Sequence, residues 1–282
     1  MRIAFIGGGN MAAALIAGLA GKLTPGANIH VVDPNPASLE ALQRQYGVTV
    51  ATAAGGGGGA AVAAAEVLVL AVKPQVMHEV TQQLLPLLQA AQAAGRTPLV
   101  LSIAAGIRAA DLARWLGGYQ AIVRTMPNTP ALIGMGVTGM VASPGVSAQQ
   151  REAADQILRA VGATVWLDDE AKIDAVTAVS GSGPAYVFYF IEAMQQAAEE
   201  LGLTAEQGKA LAMATFTGAA QLAAQSADPV PVLRDKVTSK GGTTYAALTS
   251  MEASGVKASI IAAVKAAAAR GKELGEQLGA AG

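Results

Sequence analysis

The chain has 282 residues, a formal net charge of −1 at pH 7, 52% apolar residues, 4% aromatics and no cysteine. This length suits two domains of ordinary size. Near-neutral charge with no basic stripe argues against a nucleic-acid partner, and the lack of cysteine excludes disulfides, a thiolate nucleophile and a Cys-based metal site.

Arg2-Ile3-Ala4-Phe5-Ile6 is a short β-type run, and a glycine turn follows it directly. Ile3 to Gly21 superficially resembles a secretion signal, but three consecutive glycines and Asn10 occupy the place of its apolar centre. Asn10 to Leu23 reads as an alanine-rich helix. Asn28 to Val32 is a second strand, closed by Asp33-Pro34-Asn35-Pro36, and Ala37 to Tyr46 is helical with Leu39 and Leu42 on one face. Gly47 to Ala65 is uncharged, yet Gly55 to Gly59 would ruin a spanning helix and reads as a flexible surface loop. The expectation is a soluble cytoplasmic protein with no membrane partner.

Val67 to Val72 is a continuous apolar run, as a strand covered on both faces requires. Leu99 to Ile103 and Ala121 to Arg124 have the same character. Strands alternating with helices predict an α/β fold, a Rossmann-type doubly wound parallel sheet. The pattern changes after Val165-Trp166-Leu167. Asp168-Asp169-Glu170 reads as a charged helix start, favourable at the positive end of a helix dipole. Pro184 to Leu201, Thr204 to Ala224 and Lys257 to Leu278 read as long helices, with Ser180 to Pro184 and Thr238 to Thr244 as loops. The expected domains are therefore 1–168, the α/β unit, and 169–282, an all-helical unit.

Gly7-Gly8-Gly9-Asn10-Met11-Ala12 fits G-x-G-x-x-G/A. The first glycine allows a tight turn, the second lets backbone approach a pyrophosphate, and small Ala12 lets the helix pack on the sheet. Unpaired N–H groups at the helix start then face the phosphates. The turn follows a strand, opens a helix and precedes an acidic residue, Asp33, about 24 positions on from Gly9, which is the context of a dinucleotide site. A carboxylate at Asp33 suits ribose hydroxyls and so NAD, whereas Asn35 can donate to a phosphate. The same two residues also suit a simple turn with two prolines, so the choice between NADPH and NADH stays open.

Several runs together resemble the pyrroline-5-carboxylate reductases. They are Phe5-Ile6-Gly7-Gly8-Gly9-Asn10-Met11, Ala71-Val72-Lys73-Pro74, Ser102-Ile103-Ala104-Ala105-Gly106, Met126-Pro127-Asn128-Thr129-Pro130, Asp174-Ala175-Val176-Thr177, Ser180-Gly181-Ser182-Gly183-Pro184-Ala185-Tyr186 and Thr238 to Thr244. The cofactor turn is shared with many dehydrogenases; the Ser-Gly-Ser-Gly-Pro-Ala-Tyr run and the Gly-Gly-Thr-Thr loop are far more specific. The resemblance covers essentially the whole chain. It implies reduction of L-1-pyrroline-5-carboxylate to L-proline by hydride transfer from NADPH or NADH. It also implies a helical dimerisation domain, and a homodimer that often assembles into a decamer.

By that resemblance Gly242, Thr243 and Thr244 hold the substrate carboxylate, with Ser239 and Gly241 in the same loop, and the Thr244 hydroxyl reaches the imine nitrogen. The residues themselves suit this, because consecutive backbone N–H groups at a helix start bind a carboxylate without a charged side chain. A threonine hydroxyl both accepts and donates, so Thr244 is read as an orienting group and proton relay, although the two threonines also suit ordinary helix capping. Ile6 with the glycine turn, Asp33, Asn35, Ala71, Val72, Lys73, Pro74, Ala104 and Ala105 are the expected cofactor residues. Lys240 stands where many relatives have proline, and Asp33 where many have serine.

Ser180 has the glycine flanks of a hydrolase elbow, but His30 and His78, the two histidines of the chain, fall in the other domain. No His/Asp/Glu cluster has metal spacing, so no metal is expected. Two other readings are a 3-hydroxyacid dehydrogenase of similar shape and a non-catalytic nucleotide sensor. The first would need a lysine on the helix after Tyr186, and none precedes Lys209.

Overall fold

The structure, a computed structural model, describes residues 1–55 and 58–280. It divides into two compact units. One comprises Met1–Ser182 and the chain from Ala267 onward; the other is Gly183–Ala266. This change in compactness falls later than the change in composition near residue 168.

In the first unit, strand β1 (Ile3–Ile6) is buried at every position. Ile3 and Phe5 enter one apolar cluster with Leu15, Ile16 and Leu19, while Ala4 and Ile6 enter another with Leu68, Leu70 and Leu84. Helices cover both faces, so apolar residues run continuously instead of alternating. Each fully buried Leu or Ile contributes on the order of 1.5–3 kcal/mol. β2 (Ile29–Val32), β4 (Val67–Leu70) and β5 (Leu99–Ser102) are buried at every position too.

Among the described residues eight strands form one sheet. With β3 (Thr49–Ala51), β6 (Ile122–Met126), β7 (Gly136–Ala142) and β8 (Gly162–Trp166), its order is β3-β2-β1-β4-β5-β6-β7-β8. The chain builds outward from β1 to β3, then crosses back to lay β4 on the other side of β1. That reversal opens a crevice at the carboxyl ends of β1 and β4, where sheets of this kind bind ligands. The sheet is parallel as expected except at one pair, where β7 runs antiparallel to β6 with Arg124 opposite Val141. β3 and β7 were not expected. The first is only three residues long, and the second carries Gly136 and Gly139 inside it.

Helix α1 (Asn10–Leu19) is shorter than expected. After it, the N–H groups of Lys22, Leu23 and Thr24 all converge on the Leu19 carbonyl, and Gly21 turns left-handed at φ +74°. Helix α2 (Pro36–Tyr46) begins with proline in its first turn behind the Asn35 cap and ends at left-handed Gly47. The loop expected over Gly55 to Gly59 lies partly outside the described residues, and Gly59 already opens α3 (Gly59–Ala64). α4 (Met77–Ala93), α5 (Ala109–Trp115), α6 (Ala148–Arg159) and α7 (Lys172–Val176) complete the unit, with the end of α12 (Val256–Ala280).

The second unit is helical: α8 (Gly183–Glu200), α9 (Ala205–Gln225), α10 (Val230–Lys236), α11 (Thr243–Ala253) and the start of α12. A Thr204–Gln207 capping box starts α9. Close packing of α8 on α9 needs a small residue at Gly208, where a Cβ would stand 3.0 Å from the Ala198 Cβ. Much of the unit's apolar surface stays uncovered, with Phe188 65% and Tyr189 72% exposed. Among the described residues no helix is long and apolar enough to cross a membrane.

Candidate active site

The glycine turn leaves β1 at the crevice. Gly7 has φ +105°, and a Cβ there would lie 2.6 Å from the Ala71 carbonyl oxygen, so only glycine fits. The turn thus touches the end of β4, and Ala71 N donates to Ile6 O at 2.8 Å. Gly9 is the N-cap of α1, and a Cβ on it would meet nothing within 4 Å. No side chain caps this helix start. Ala13 N bonds Gly9 O, so the N–H groups of Asn10, Met11 and Ala12 precede the helical ladder and point outward. Open space before uncapped N–H groups fits a dinucleotide pyrophosphate.

Asp33 has a structural duty that the sequence did not reveal. One carboxylate oxygen accepts from Gly8 N at 2.7 Å and the other from Asn35 N at 2.8 Å. Each oxygen keeps a lone pair for a ribose hydroxyl. Asn35 is the cap of α2, its side-chain oxygen accepting from Ala37 N at 3.1 Å. Its carbonyl oxygen is therefore engaged, leaving the amide N–H groups to a ligand.

Ala71 to Pro74 follow β4, Ala104 and Ala105 follow β5, and Pro127 to Pro130 follow Met126 at the end of β6, all at the carboxyl edge of the sheet. Lys73 is exposed, Ala104 is buried and Ala105 is exposed. Ser180 offers no nucleophile, since its hydroxyl donates to Val176 O at 3.0 Å. Nor is Ser180 to Pro184 a loop, as expected. Thr177–Gly181 forms a π-helical turn with Ser182 N bonded to Thr177 O at 2.8 Å, and α8 starts at Gly183. Both histidines are occupied structurally. His30 is buried in β2 with Nδ1 2.8 Å from the Thr49 hydroxyl, and burial holds its pKa below the usual value. The His78 ring leans on Trp115 at 5.1 Å between centroids. Among the described residues no group of three or more His, Cys, Asp or Glu could hold a metal.

In the helical unit the polar loop leads directly into α11. Gly241 is left-handed at φ +76°, and Gly242 is the N-cap with no side-chain cap. Gly242 N already donates to Ser239 O at 3.0 Å, and Ala246 N takes Gly242 O. The outward donors are therefore Thr243, Thr244 and Tyr245, one step later than the sequence suggested. A Cβ at Gly242 would stand 2.6 Å from the Ser239 hydroxyl oxygen, which explains the second glycine.

Comparison with known proteins adds identity to this geometry. Residues 170–274 match the family model for pyrroline-5-carboxylate reductase dimerisation, and residues 2–106 match that of the NADP oxidoreductases, coenzyme F420-dependent. A pyrroline-5-carboxylate reductase of Pseudomonas aeruginosa is 49% identical over 278 residues, spanning 99% of this chain and 98% of that protein. The chain belongs to the pyrroline-5-carboxylate reductase family. A reductase of the family from Coxiella burnetii has a solved structure with TM-score 0.89 at 38% identity, covering 97% of this chain and 98% of that one. The Plasmodium falciparum reductase, solved with NADP bound, gives TM-score 0.83 at 28% identity and 98% coverage of both chains.

Two side chains matter to this reductase fold beyond those expected. Asn128, 8% exposed, donates to Ser180 O at 3.1 Å and accepts from Val137 N at 2.9 Å, joining the end of β6 to β7 and the π turn. Glu170 stands just before the Ala171 N-cap of α7, as the acidic run predicted, but its side chain reaches further. It accepts from Ala109 N at 2.7 Å and from Arg124 at 2.8 Å. The Met-Pro-Asn-Thr-Pro run pointed to the first; for Glu170 a three-residue acidic run carried no long-range signal.

Proposed function

We propose that the chain reduces L-1-pyrroline-5-carboxylate to L-proline with NADPH or NADH. The observation that carries this is the uncapped start of α11 behind Gly241-Gly242, a neutral carboxylate cradle, in a chain related to the reductases along its whole length. When bound, a reduced nicotinamide supplies the hydride that turns the imine double bond into the secondary amine of proline. Ile6 and Gly7 to Ala12 hold the pyrophosphate, Asp33 and Asn35 face the adenosine ribose, and Ala71 to Pro74 with Ala104 and Ala105 line the nicotinamide half. Ser239, Gly241, Gly242, Thr243 and Thr244 form the substrate loop. The Thr243 and Thr244 N–H groups bind the carboxylate, and the Thr244 hydroxyl orients the imine nitrogen and relays its proton.

Residues 1–168 serve as the nucleotide-binding domain and 169–282 as the substrate and dimerisation domain. The uncovered apolar side chains of the helical unit and its dimerisation-family match support a homodimer through that unit. Further assembly into a pentamer of dimers and a cytoplasmic location complete the proposal; light scattering and cell fractionation test them. The central test is loss of reduced-nicotinamide absorbance when purified protein meets pyrroline-5-carboxylate with NADPH or NADH. Oxidation of either supports the reductase. Cofactor binding without oxidation of either would move the chain to the 3-hydroxyacid or sensor reading.

A further inference from the structure

The segment Ile103–Arg108 leaves the carboxyl end of β5, carries Ala104 and Ala105, and runs into α5. That helix has no cap of its own, for Arg108 at the N-cap position makes no side-chain bond to it. The cap comes instead from far along the chain. Glu170 Oε1 accepts from Ala109 N at 2.7 Å and from Arg124 Nη1 at 2.8 Å. Arg124 is 4% exposed and pairs with Ser102 in the register of β5 on β6. One carboxylate oxygen thus ties the far end of the segment to the strand beside its near end. Both bonds are charge-assisted, the stronger class.

The other side of the segment is closed by backbone. Gly106 is left-handed at φ +77°. On α12, a Cβ at Gly275 would lie 3.3 Å from the Gly106 carbonyl oxygen, and one at Gly279 would lie 2.5 Å from an Asp111 carboxylate oxygen. Arg114 Nη2 donates to Gly279 O at 2.7 Å. The segment is therefore fixed by a half-buried ion pair on one side and a close helix on the other, while Ala105 faces solvent.

We infer that Glu170 is a positioning residue for the nicotinamide end of the cofactor, acting through Ala109 and Arg124 on Ala104 and Ala105. The inference rests on the proposed function, in which these two alanines line the nicotinamide half. Without Glu170 the Arg124 charge stays buried and unpaired, and the start of α5 loses its acceptor, so the segment shifts.

The test uses the full-length protein and two ligands. The reduced cofactor spans the whole crevice, whereas ADP has the adenosine and pyrophosphate but no nicotinamide. Glu170→Ala should weaken reduced-cofactor binding about tenfold and leave ADP affinity within about twofold. Glu170→Gln, whose amide oxygen can accept both bonds, should restore most of the affinity. Equal losses for both ligands, or none for either, in a folded Glu170→Ala protein would overturn the inference. Should that variant fail to melt cooperatively, Glu170→Asp, still charged but one methylene too short, takes its place. A selective loss of reduced-cofactor affinity in Glu170→Asp would support the inference, and equal or absent losses would overturn it. Failure of the wild type to oxidise cofactor with pyrroline-5-carboxylate would count against the reductase reading alone, since the affinity comparison needs no turnover.

Discussion

Two glycines of the turn after β1 should fail in opposite ways when given a methyl group. At Gly7, alanine would have to adopt φ +105° with its Cβ 2.6 Å from one carbonyl oxygen and 2.7 Å from that carbonyl carbon. The backbone conformation costs on the order of 1–3 kcal/mol, and the overlap with Ala71 about as much again. With roughly 2–4 °C lost per kcal/mol in a unit of this size, Gly7→Ala should lower Tm by roughly 4–24 °C. At Gly9 the backbone is extended, φ −73° and ψ −175°, and a Cβ meets nothing within 4 Å. Gly9→Ala should hold its Tm, because the lost cap preference and the stiffened unfolded chain are each under about 1 kcal/mol and opposed. Its methyl would nonetheless fill the space before the start of α1, so NADPH affinity should fall about tenfold or more. Differential scanning fluorimetry and cofactor titration on both variants settle the matter. A Gly9→Ala protein that binds cofactor like the wild type would show that no phosphate sits there, and a Gly7→Ala protein of unchanged Tm would refute the steric argument.

Thr244→Ala should lose about tenfold or more in turnover, the loss of one transition-state hydrogen bond, with cofactor affinity unchanged; unaltered kinetics would remove the hydroxyl from the mechanism. Asp33→Ser should move the ratio of kcat/KM values about tenfold toward NADPH, because it removes the charge that repels a 2′-phosphate. An unmoved ratio would leave Asp33 only its bonds to Gly8 and Asn35. Burial alone would raise the Asp155 pKa, but hydrogen bonds from Thr164, Arg159 and Trp166 outweigh it and hold the carboxyl below its usual range. A depressed folded pKa contributes stability above the unfolded value of 3.8 that is lost as pH falls through the folded one. Asp155→Asn should therefore cost about 1 kcal/mol at neutral pH, with the gap to wild type closing below about pH 4. A gap constant with pH would mean that the carboxylate charge plays no part.

How much of this could be read from the chain alone depended on range. Val67 to Leu70 and Leu99 to Ser102 announced themselves because strands covered on both faces must be apolar throughout. Gly7 to Ala12 was legible because its constraints are local: a turn, a bare helix start and an acidic residue after the next strand. β7 was hidden by its glycines, one of which, Gly139, is required by the nearby Val176 side chain, 2.6 Å from where a Cβ would stand. Ser180 to Pro184 has loop composition, yet the bond from Asn128, 52 residues away, helps hold it in a π turn. Glu170 was legible as the lead-in to α7, but its bonds to Ala109 and Arg124 were not, because these partners are 61 and 46 positions distant. In the Thr238 to Thr244 loop the pattern located the helix start but missed by one residue which N–H groups are unspent, since that depends on the Ser239–Gly242 bond.

The sheet unit is discontinuous in the chain, with the helical unit inserted between Ser182 and Ala267. On a ribosome the strands through Trp166 emerge first, and domains tend to fold as they appear. The surface of Gly106 and Asp111 that receives Gly275 and Gly279 must then wait until the whole helical unit has been made. A nascent or prematurely terminated chain would own the glycine turn yet lack the brace behind Ala104 and Ala105. Order of synthesis thereby reserves a finished nucleotide crevice for chains that already carry their helical half.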